Sequence, residues 1–374
     1  CARISMCVCA RVIVGGPAVG RGVVCAASYE ARKFGVHSAM AMKIAVRKCP
    51  HAHVMPVRSH VYTEISKQIH QIFLEFTPHI EPLSIDEAFL DVTGSVALFG
   101  TVKTIGKGIQ EKIYQETELV ASVGISHNMF LAKLASDLDK PNGFVVIDKA
   151  STQDILDPLN IKRIWGVGKV TTNKLNQIGI HTIYDLRNYP KDLLHKLMGN
   201  QTDHLIALAH GEDIRAVAPS NGRKSISKDH TFEIDILDNQ ILLNTIFDQI
   251  QHIATILRRE KRYAKTVTLK MRNHFFQTVT RSYTLENPSD ETELFWQTAK
   301  MLFGKYQQTN YAPTRLIGIG LSQLTEDKSG VQLSLFADKQ QSKMKDIDQL
   351  IDQINDKFGS QTVVRRANEK TDTK

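Results

Sequence analysis

Ser84–Ile85–Asp86–Glu87–Ala88–Phe89–Leu90–Asp91–Val92 sets two adjacent acids inside an apolar run that opens at Leu83. Read as a strand over Ile85–Val92, it points Asp86 and Glu87 to opposite faces, and a continuous apolar strand is one covered on both. Carboxylates held in such a place are costly unless they pair or coordinate a metal. Hard divalent ions take carboxylate oxygens, so Mg²⁺ ligation is one reading. The other is a strand end at which both acids simply reach water. Spacing alone leans towards water; the neighbouring motifs reverse that.

Outward from this stretch, the chain reads as three textures. Arg11–Val14 into Gly15–Gly16–Pro17 predicts a short strand entering a glycine turn, followed by a strand at Gly22–Ala26 and a helix at Tyr29–Lys33. Ile65, Ile69, Ile72 and Phe73 recur at helical spacing in 62–76. A helix over about 95–116, strands at Leu119–Ile125 and Phe144–Ile147, and a helix at Asn128–Leu138 complete an α+β or α/β region. From Ile161 to about Val217 the pattern is wholly helical. A polar stretch, Pro219–Ser225, then precedes strands at 225–232, 266–273, 277–285 and 315–321, with helices at 239–259 and 291–306. That β-α-β-β-α-β order is a split-βαβ domain. A charged helix is expected at about 343–358.

At 374 residues the chain suits two to four domains of roughly 100–200 residues each. With 47 Lys and Arg against 39 Asp and Glu, its net charge of +8 fits nucleic acid or another anionic substrate. No run approaches the roughly 18 apolar residues of a membrane-spanning helix, so no membrane partner is expected. The five cysteines, Cys1, Cys7, Cys9, Cys25 and Cys49, form no CxxC pair. Neither a zinc site nor a disulfide framework is expected, and with no signal-peptide pattern a reduced cytoplasmic setting is the default.

Ser84–Val92, Ala27–Ser28–Tyr29–Glu30–Ala31–Arg32–Lys33–Phe34–Gly35–Val36, and Phe130–Asp137 followed by Lys140–Pro141–Asn142–Gly143 together resemble the signatures of Y-family translesion DNA polymerases, of the bacterial DNA polymerase IV type. The resemblance runs from about residue 11 to the C-terminal region. It implies a multidomain α+β fold, a right hand with palm and inserted fingers (1–157), a helix-hairpin-helix thumb (158–218) and a split-βαβ little finger (219–325), before a flexible tail (326–374). It implies template-directed addition of dNTPs to a primer end, error-prone bypass of lesions in DNA repair, and a monomer. Asp86 and Glu87 correspond to the palm carboxylates that hold two Mg²⁺ ions, and Tyr29, Arg32 and Lys140 to residues that hold the triphosphate. An Arg fork, a Lys point charge and a Tyr hydroxyl suit that anion.

The family begins with a strand carrying an Asp–Met–Asp-type motif and aromatic residues. Here Cys1–Ala10 stands in its place, and no Asp or Glu precedes Glu30. A threonine of the triphosphate site corresponds to Ala26. The expectation is a truncated or frame-altered start on a polymerase chain, with a catalytically impaired DNA- and clamp-binding protein as the alternative.

Three further segments carry chemistry. Gly166–Val167–Gly168–Lys169 lacks the earlier glycine of a phosphate-binding P-loop, since position 163 is Arg163. It fits a helix-hairpin-helix whose glycine turn exposes backbone N–H groups to a DNA phosphate; a plain helix–helix turn is the alternative. Arg258–Arg281 holds eight basic residues against Glu260, with Thr266, Thr268, Lys270 and Arg272 on one strand face and Val267, Leu269 and Met271 on the other. Lys270 and Arg272 are expected on phosphate. Finally Gln332–Leu333–Ser334–Leu335–Phe336, an apolar cluster in a polar tail, resembles a peptide that binds the bacterial sliding clamp, with Gln332, Leu333, Leu335 and Phe336 as contacts.

Overall fold

The computed structural model describes residues 10–219, 222–326, 339–359 and 363. The chain forms two compact units: one holds Val57–Asn221, the other Arg11–Pro56 with Gly222–Lys374. Gln332–Phe336 and the first nine residues lie outside the described residues.

The chain starts in the second of these units. β1 (Val12–Gly15) and β2 (Val24–Ala27) make the expected antiparallel hairpin, Ile13 opposite Ala27. The helix α1 (Tyr29–Arg32) starts at Ser28, whose hydroxyl accepts from the Ala31 amide. Two elements that the sequence did not announce follow: α2 (Met42–Lys48), and β3 (His53–Met55), which runs parallel to β1. Ile13, Val24, Ala31, Val36, Met42 and Ala45 close over one another as the local core.

The other unit opens with α3 (Ser59–Phe76) and a short hairpin, β4 (Ile80–Pro82) with β5 (Ala88–Leu90). The strand expected over 85–92 is therefore corrected. Leu83 N and Ser84 N both donate to Glu87 O, at 2.9 and 3.2 Å, which closes the chain into a turn and leaves Asp86 and Glu87 ahead of the strand. The single helix expected at 95–116 is two, α4 (Val96–Phe99) and α5 (Val102–Thr117), parted at Gly100, where φ is +89°. β6 (Val123–Ser126) and β7 (Phe144–Ile147) pair in parallel around α6 (Met129–Leu138). The close fit of α6 on β6 needs a glycine: a Cβ on Gly124 would collide with Ala132 O and Ser136 N. After α7 (Thr152–Leu156) come the short helices α8 (Lys169–Gln177), α9 (Ile183–Asn188), α10 (Lys191–Met198) and α11 (Gln201–Ala209). Their core runs on into α6 through Phe130, Leu131, Leu134 and Ala135.

The chain then returns to the second unit as β8 (Ser225–Ile236), α12 (Asn239–Arg259), β9 (Tyr263–Asn273), β10 (Thr278–Ser289), α13 (Thr292–Gln307) and β11 (Thr314–Thr325), the order read from the sequence. The sheet is antiparallel, ordered β10–β9–β11–β8, with α12 and α13 in its core. Arg21, from the β1–β2 turn, donates to Phe232 O and pairs with Asp235 on β8, both at 2.8 Å.

The expected tail contains a docked helix, α14 (Lys339–Phe358). Arg258 on α12 reaches Asp352 at 2.6 Å and Asp348 at 3.4 Å. Asp348 also accepts from Thr292 N at 3.0 Å. That amide opens α13, whose own N-cap residue Glu291 makes no side-chain cap bond, so a distant carboxylate does the capping. Arg258 is 10% exposed and Asp348 5%. Removing one partner of a pair this buried costs about 3–5 kcal/mol. Arg258→Ala should lower the thermal midpoint by several degrees and speed hydrogen exchange throughout α14; an unchanged midpoint with α14 still protected would show that the helix docks by other means.

Candidate active site

The β4–β5 turn presents its two acids differently. Asp86 is exposed, with Oδ1 accepting from Ser84 Oγ at 2.6 Å. Glu87 is half-buried, with Oε1 accepting from Lys133 Nζ at 3.1 Å. Water reaches Asp86, as the plainer reading of the sequence had it, while Glu87 is partly covered and has a cation beside it. Asp91, the third acid of the stretch, is taken up locally: its Oδ1 accepts from Thr93 N at 2.9 Å, and hydrogen bonds from Thr93 hold its carboxyl below the usual range. Beside the turn lies a cavity of about 280 Å³, lined by Lys67, His70 and Gln71 of α3 and by Ser84, Asp86 and Glu87.

Lys133 leads to a second group. Its Nζ also binds Asp137 Oδ2 at 2.9 Å, and Asp137 Oδ1 binds Lys140 Nζ at 2.6 Å. Burial pushes the Lys133 ammonium down, but its hydrogen bonds to Asp137 and Glu87 outweigh that and the net shift is upward. Burial likewise pushes Asp137 up, and the bonds from Lys140 and Lys133 bring it below the ordinary carboxylate value. Both shifts favour the charged forms of Lys133 and Asp137. The loop after Lys140 is anchored by the buried Gln110, which donates to Ala121 O at 2.8 Å and to Asn142 Oδ1 at 3.2 Å. Lys133 and Asp137 lay within a quoted motif but drew no role from sequence; their spacing of four, and the three from Asp137 to Lys140, were the available signal.

In the other unit, Tyr29 and Arg32 both sit on α1. Tyr29 is exposed, and Arg32 Nε donates to Ala27 O at 3.1 Å. The short helix leaves both at the surface beside β2, where Ala26 is exposed.

Gly166, with φ +94°, Gly168 and Lys169 are exposed. Gly168 is the N-cap of α8 and offers no side-chain bond, so the first amides of the helix carry its positive end outward. Val167 and Ile164 fix the turn from below in the core.

On β9 the predicted alternation holds with one correction: Val267, Leu269 and Met271 are buried and Thr268, Lys270 and Arg272 partly open, but Thr266 is buried too, its hydroxyl bonded to that of Thr284 at 3.1 Å. The open face is tied together, however. Thr268 bonds Ser282 at 2.9 Å, Arg272 Nε donates to Thr278 Oγ1 at 2.8 Å, and Lys270 reaches Asp229 on β8 at 2.6 Å. That last pair crosses the intervening strand β11 at Gly318, which is in register with both residues. A Cβ on Gly318 would collide with the Asp229 carboxylate. The basic run 258–281 is also less free than its count suggests, because Arg258 and Arg259 pair with α14, and Arg262 with Glu326.

Comparison with known proteins agrees with this arrangement. The model of the impB/mucB/samB family matches residues 9–137, that of its C-terminal domain 223–335, and that of the family's HHH motif 149–180. The DNA polymerase IV of Desulfatibacillum aliphaticivorans is 41% identical over 353 residues, 94% of this chain and 89% of that protein. A Y-family DNA polymerase chimera superposes with a TM-score of 0.79 at 25% identity, covering 87% of this chain and 94% of its own. An insertion ternary complex of Dbh DNA polymerase gives 0.60 at 25% identity, over 85% and 93%. With its hairpin acids, its glycine-turn thumb helix and its split-βαβ sheet matched in order along nearly the whole length, the chain belongs to the impB/mucB/samB family of Y-family DNA polymerases.

Proposed function

We propose that this protein is a DNA-directed DNA polymerase of translesion type, with primer–template DNA and dNTPs as its substrates. The carrying observation is the Asp86–Glu87 pair, presented on a closed hairpin turn next to a cavity. In the reaction the primer 3′-hydroxyl bonds to the α-phosphorus, the bond to the β-phosphate breaks, and pyrophosphate leaves.

Polymerases of this family depend on a divalent metal, and we read Asp86 and Glu87 as the residues that would hold Mg²⁺. Among the described residues no cluster of three or more His, Cys, Asp or Glu could enclose an ion. Two adjacent carboxylates still suit Mg²⁺, which keeps several waters and binds through one or two carboxylates plus substrate phosphates. Bound there, the metal supplies electrostatic stabilisation of the charge that develops in phosphoryl transfer. The chain's own residues supply placement: Ser84 Oγ orients Asp86, and Lys133 orients Glu87. We assign the triphosphate to Tyr29, Arg32 and Lys140 on their chemistry. DNA phosphate falls to Gly166, Gly168 and Lys169 at the start of α8, and to Lys270 and Arg272. The monomer rests on the family resemblance and the cytoplasmic setting on the cysteine pattern; among the described residues no helix is long and apolar enough to cross a membrane.

Asp86→Ala and Glu87→Ala should each lower primer extension with dNTPs and Mg²⁺ by at least about a hundredfold, with primer–template affinity by fluorescence anisotropy little changed. Undiminished extension by either variant would remove these acids from the site.

For Lys270, phosphate contact means exchanging Asp229 for a phosphate oxygen. Neutralising Lys270 and Arg272 together should weaken binding alike on unrelated sequences and flatten the log–log salt dependence by about one to two units. Asp229→Asn should strengthen binding. An unchanged slope in the first variant and no gain in the second would take this face off the DNA.

The clamp reading rests on sequence alone. Replacing Leu335 and Phe336 with Ala should abolish stimulation of synthesis by the sliding clamp and leave clamp-free synthesis at its original rate, since the contact tethers rather than reacts. Normal clamp binding by the variant in calorimetry would refute it.

A further inference from the structure

Glu87, Lys133, Asp137 and Lys140 form a continuous line of alternating charge, with contacts of 3.1, 2.9 and 2.6 Å. Only its two ends have a role in the proposed reaction, and this inference rests on that reading of them. The middle two stand one turn apart on α6, a helix held by Phe130, Leu131, Leu134 and Ala135 in the core and by its contact with Gly124. Lys133 is the most sheltered of the four, its side chain 18% exposed against 39%, 33% and 38% for Glu87, Asp137 and Lys140.

The two middle members, Lys133 and Asp137, are each shared between two neighbours. A cation arriving at Glu87 competes with Lys133 for that carboxylate. Lys133 then falls more fully to Asp137, and Asp137 holds Lys140 less tightly. An anion arriving at Lys140 acts in the opposite order, drawing Lys140 from Asp137 and leaving Asp137 to Lys133, which frees Glu87. We propose that Lys133 is a positioning residue that couples the carboxylate end of the site to the triphosphate end through Asp137. Metal and triphosphate then favour each other's binding through the protein, in addition to any direct contact between them, and the effect is necessarily mutual.

The signs make the idea testable by binding alone, with the full chain on primer–template DNA. Mn²⁺ affinity is measured by paramagnetic resonance without nucleotide, and dNTP affinity by fluorescence in EDTA. Lys133→Met removes the cation competing for Glu87 and leaves Asp137 to Lys140 alone. It should tighten Mn²⁺ and weaken dNTP, each by roughly twofold to fivefold, the scale of a partly exposed ion pair. Lys133→Arg, which keeps the charge, should restore both towards the original values. Asp137→Asn frees Lys140 and should tighten dNTP in EDTA. A merely structural lysine would weaken both ligands or neither, so affinities that move together or stay fixed in Lys133→Met would overturn the coupling, as would an unaltered dNTP affinity in Asp137→Asn. Glu87→Gln separates this failure from that of the proposed site: if it leaves Mn²⁺ binding intact, Glu87 is not a ligand and the reading beneath falls as well.

Discussion

The ion pair between Glu87 and Lys133 is the contact on which the acid-bearing corner depends. A carboxylate that gives up part of its water gains from a counter-charge or a set of donors. The hairpin turn cannot provide one, because the amides of Leu83 and Ser84 are both spent on the carbonyl of Glu87. The charge comes from another element, α6, through Lys133. That in turn requires α6 to lie close and still. Its apolar face enters the core shared with the short helices, and Gly124 lets β6 meet its backbone directly. The spacing in Phe130–Asp137 is thus a packing pattern on one side of the helix and an electrostatic one on the other.

The little-finger sheet solves a related problem with the opposite outcome. Its central strand β11 carries Gly318 between Lys270 and Asp229, and the missing side chain lets charges two strands apart meet. Paired this way, Lys270 stays ordered on an open face, where a free lysine would sample many rotamers. The pairing also lowers the charge the sheet shows before any nucleic acid arrives. The number of basic residues in 258–281 therefore overstates the field of this surface: Arg258, Arg259 and Arg262 are already matched by acids of their own unit.

What the sequence disclosed follows from the range of the interactions involved. Local periodicity placed α12 at Asn239–Arg259 and β7 at Phe144–Ile147, and alternation alone sorted the two faces of β9. The motifs found the acids and the glycine turn. They could not tell that Asp86 and Glu87 sit in the turn rather than the strand, because that depends on two hydrogen bonds to one carbonyl and not on hydrophobicity. β4 was hidden by its three-residue length and by Pro82, and α2 by the absence of a side-chain cap at Ala41. The partners least legible were the most distant. Asp229 lies 41 positions from Lys270, and Asp352 lies 94 from Arg258; no window of local sequence contains both members of such a pair.

Arg21 has partners more distant still, 211 positions away at Phe232. It lies in a turn whose glycines suggested only a hairpin connection, yet its guanidinium binds a carbonyl and a carboxylate of β8. Glu233 adds a bond to its backbone amide at 3.3 Å. One arginine thereby ties the small β1–β2–β3 sheet, and with it the helix bearing Tyr29 and Arg32, to the strand that also carries Asp229. Neither apolar core extends across this link: the cluster around Ile13 and that around Phe232 are separate. Charged contacts that still reach water, here with side chains 20% and 28% exposed, are weak beside a shared core. The two sheets are therefore stable for their own reasons, while their mutual register rests on a few polar bonds, the kind of connection that can be remade without unfolding either side.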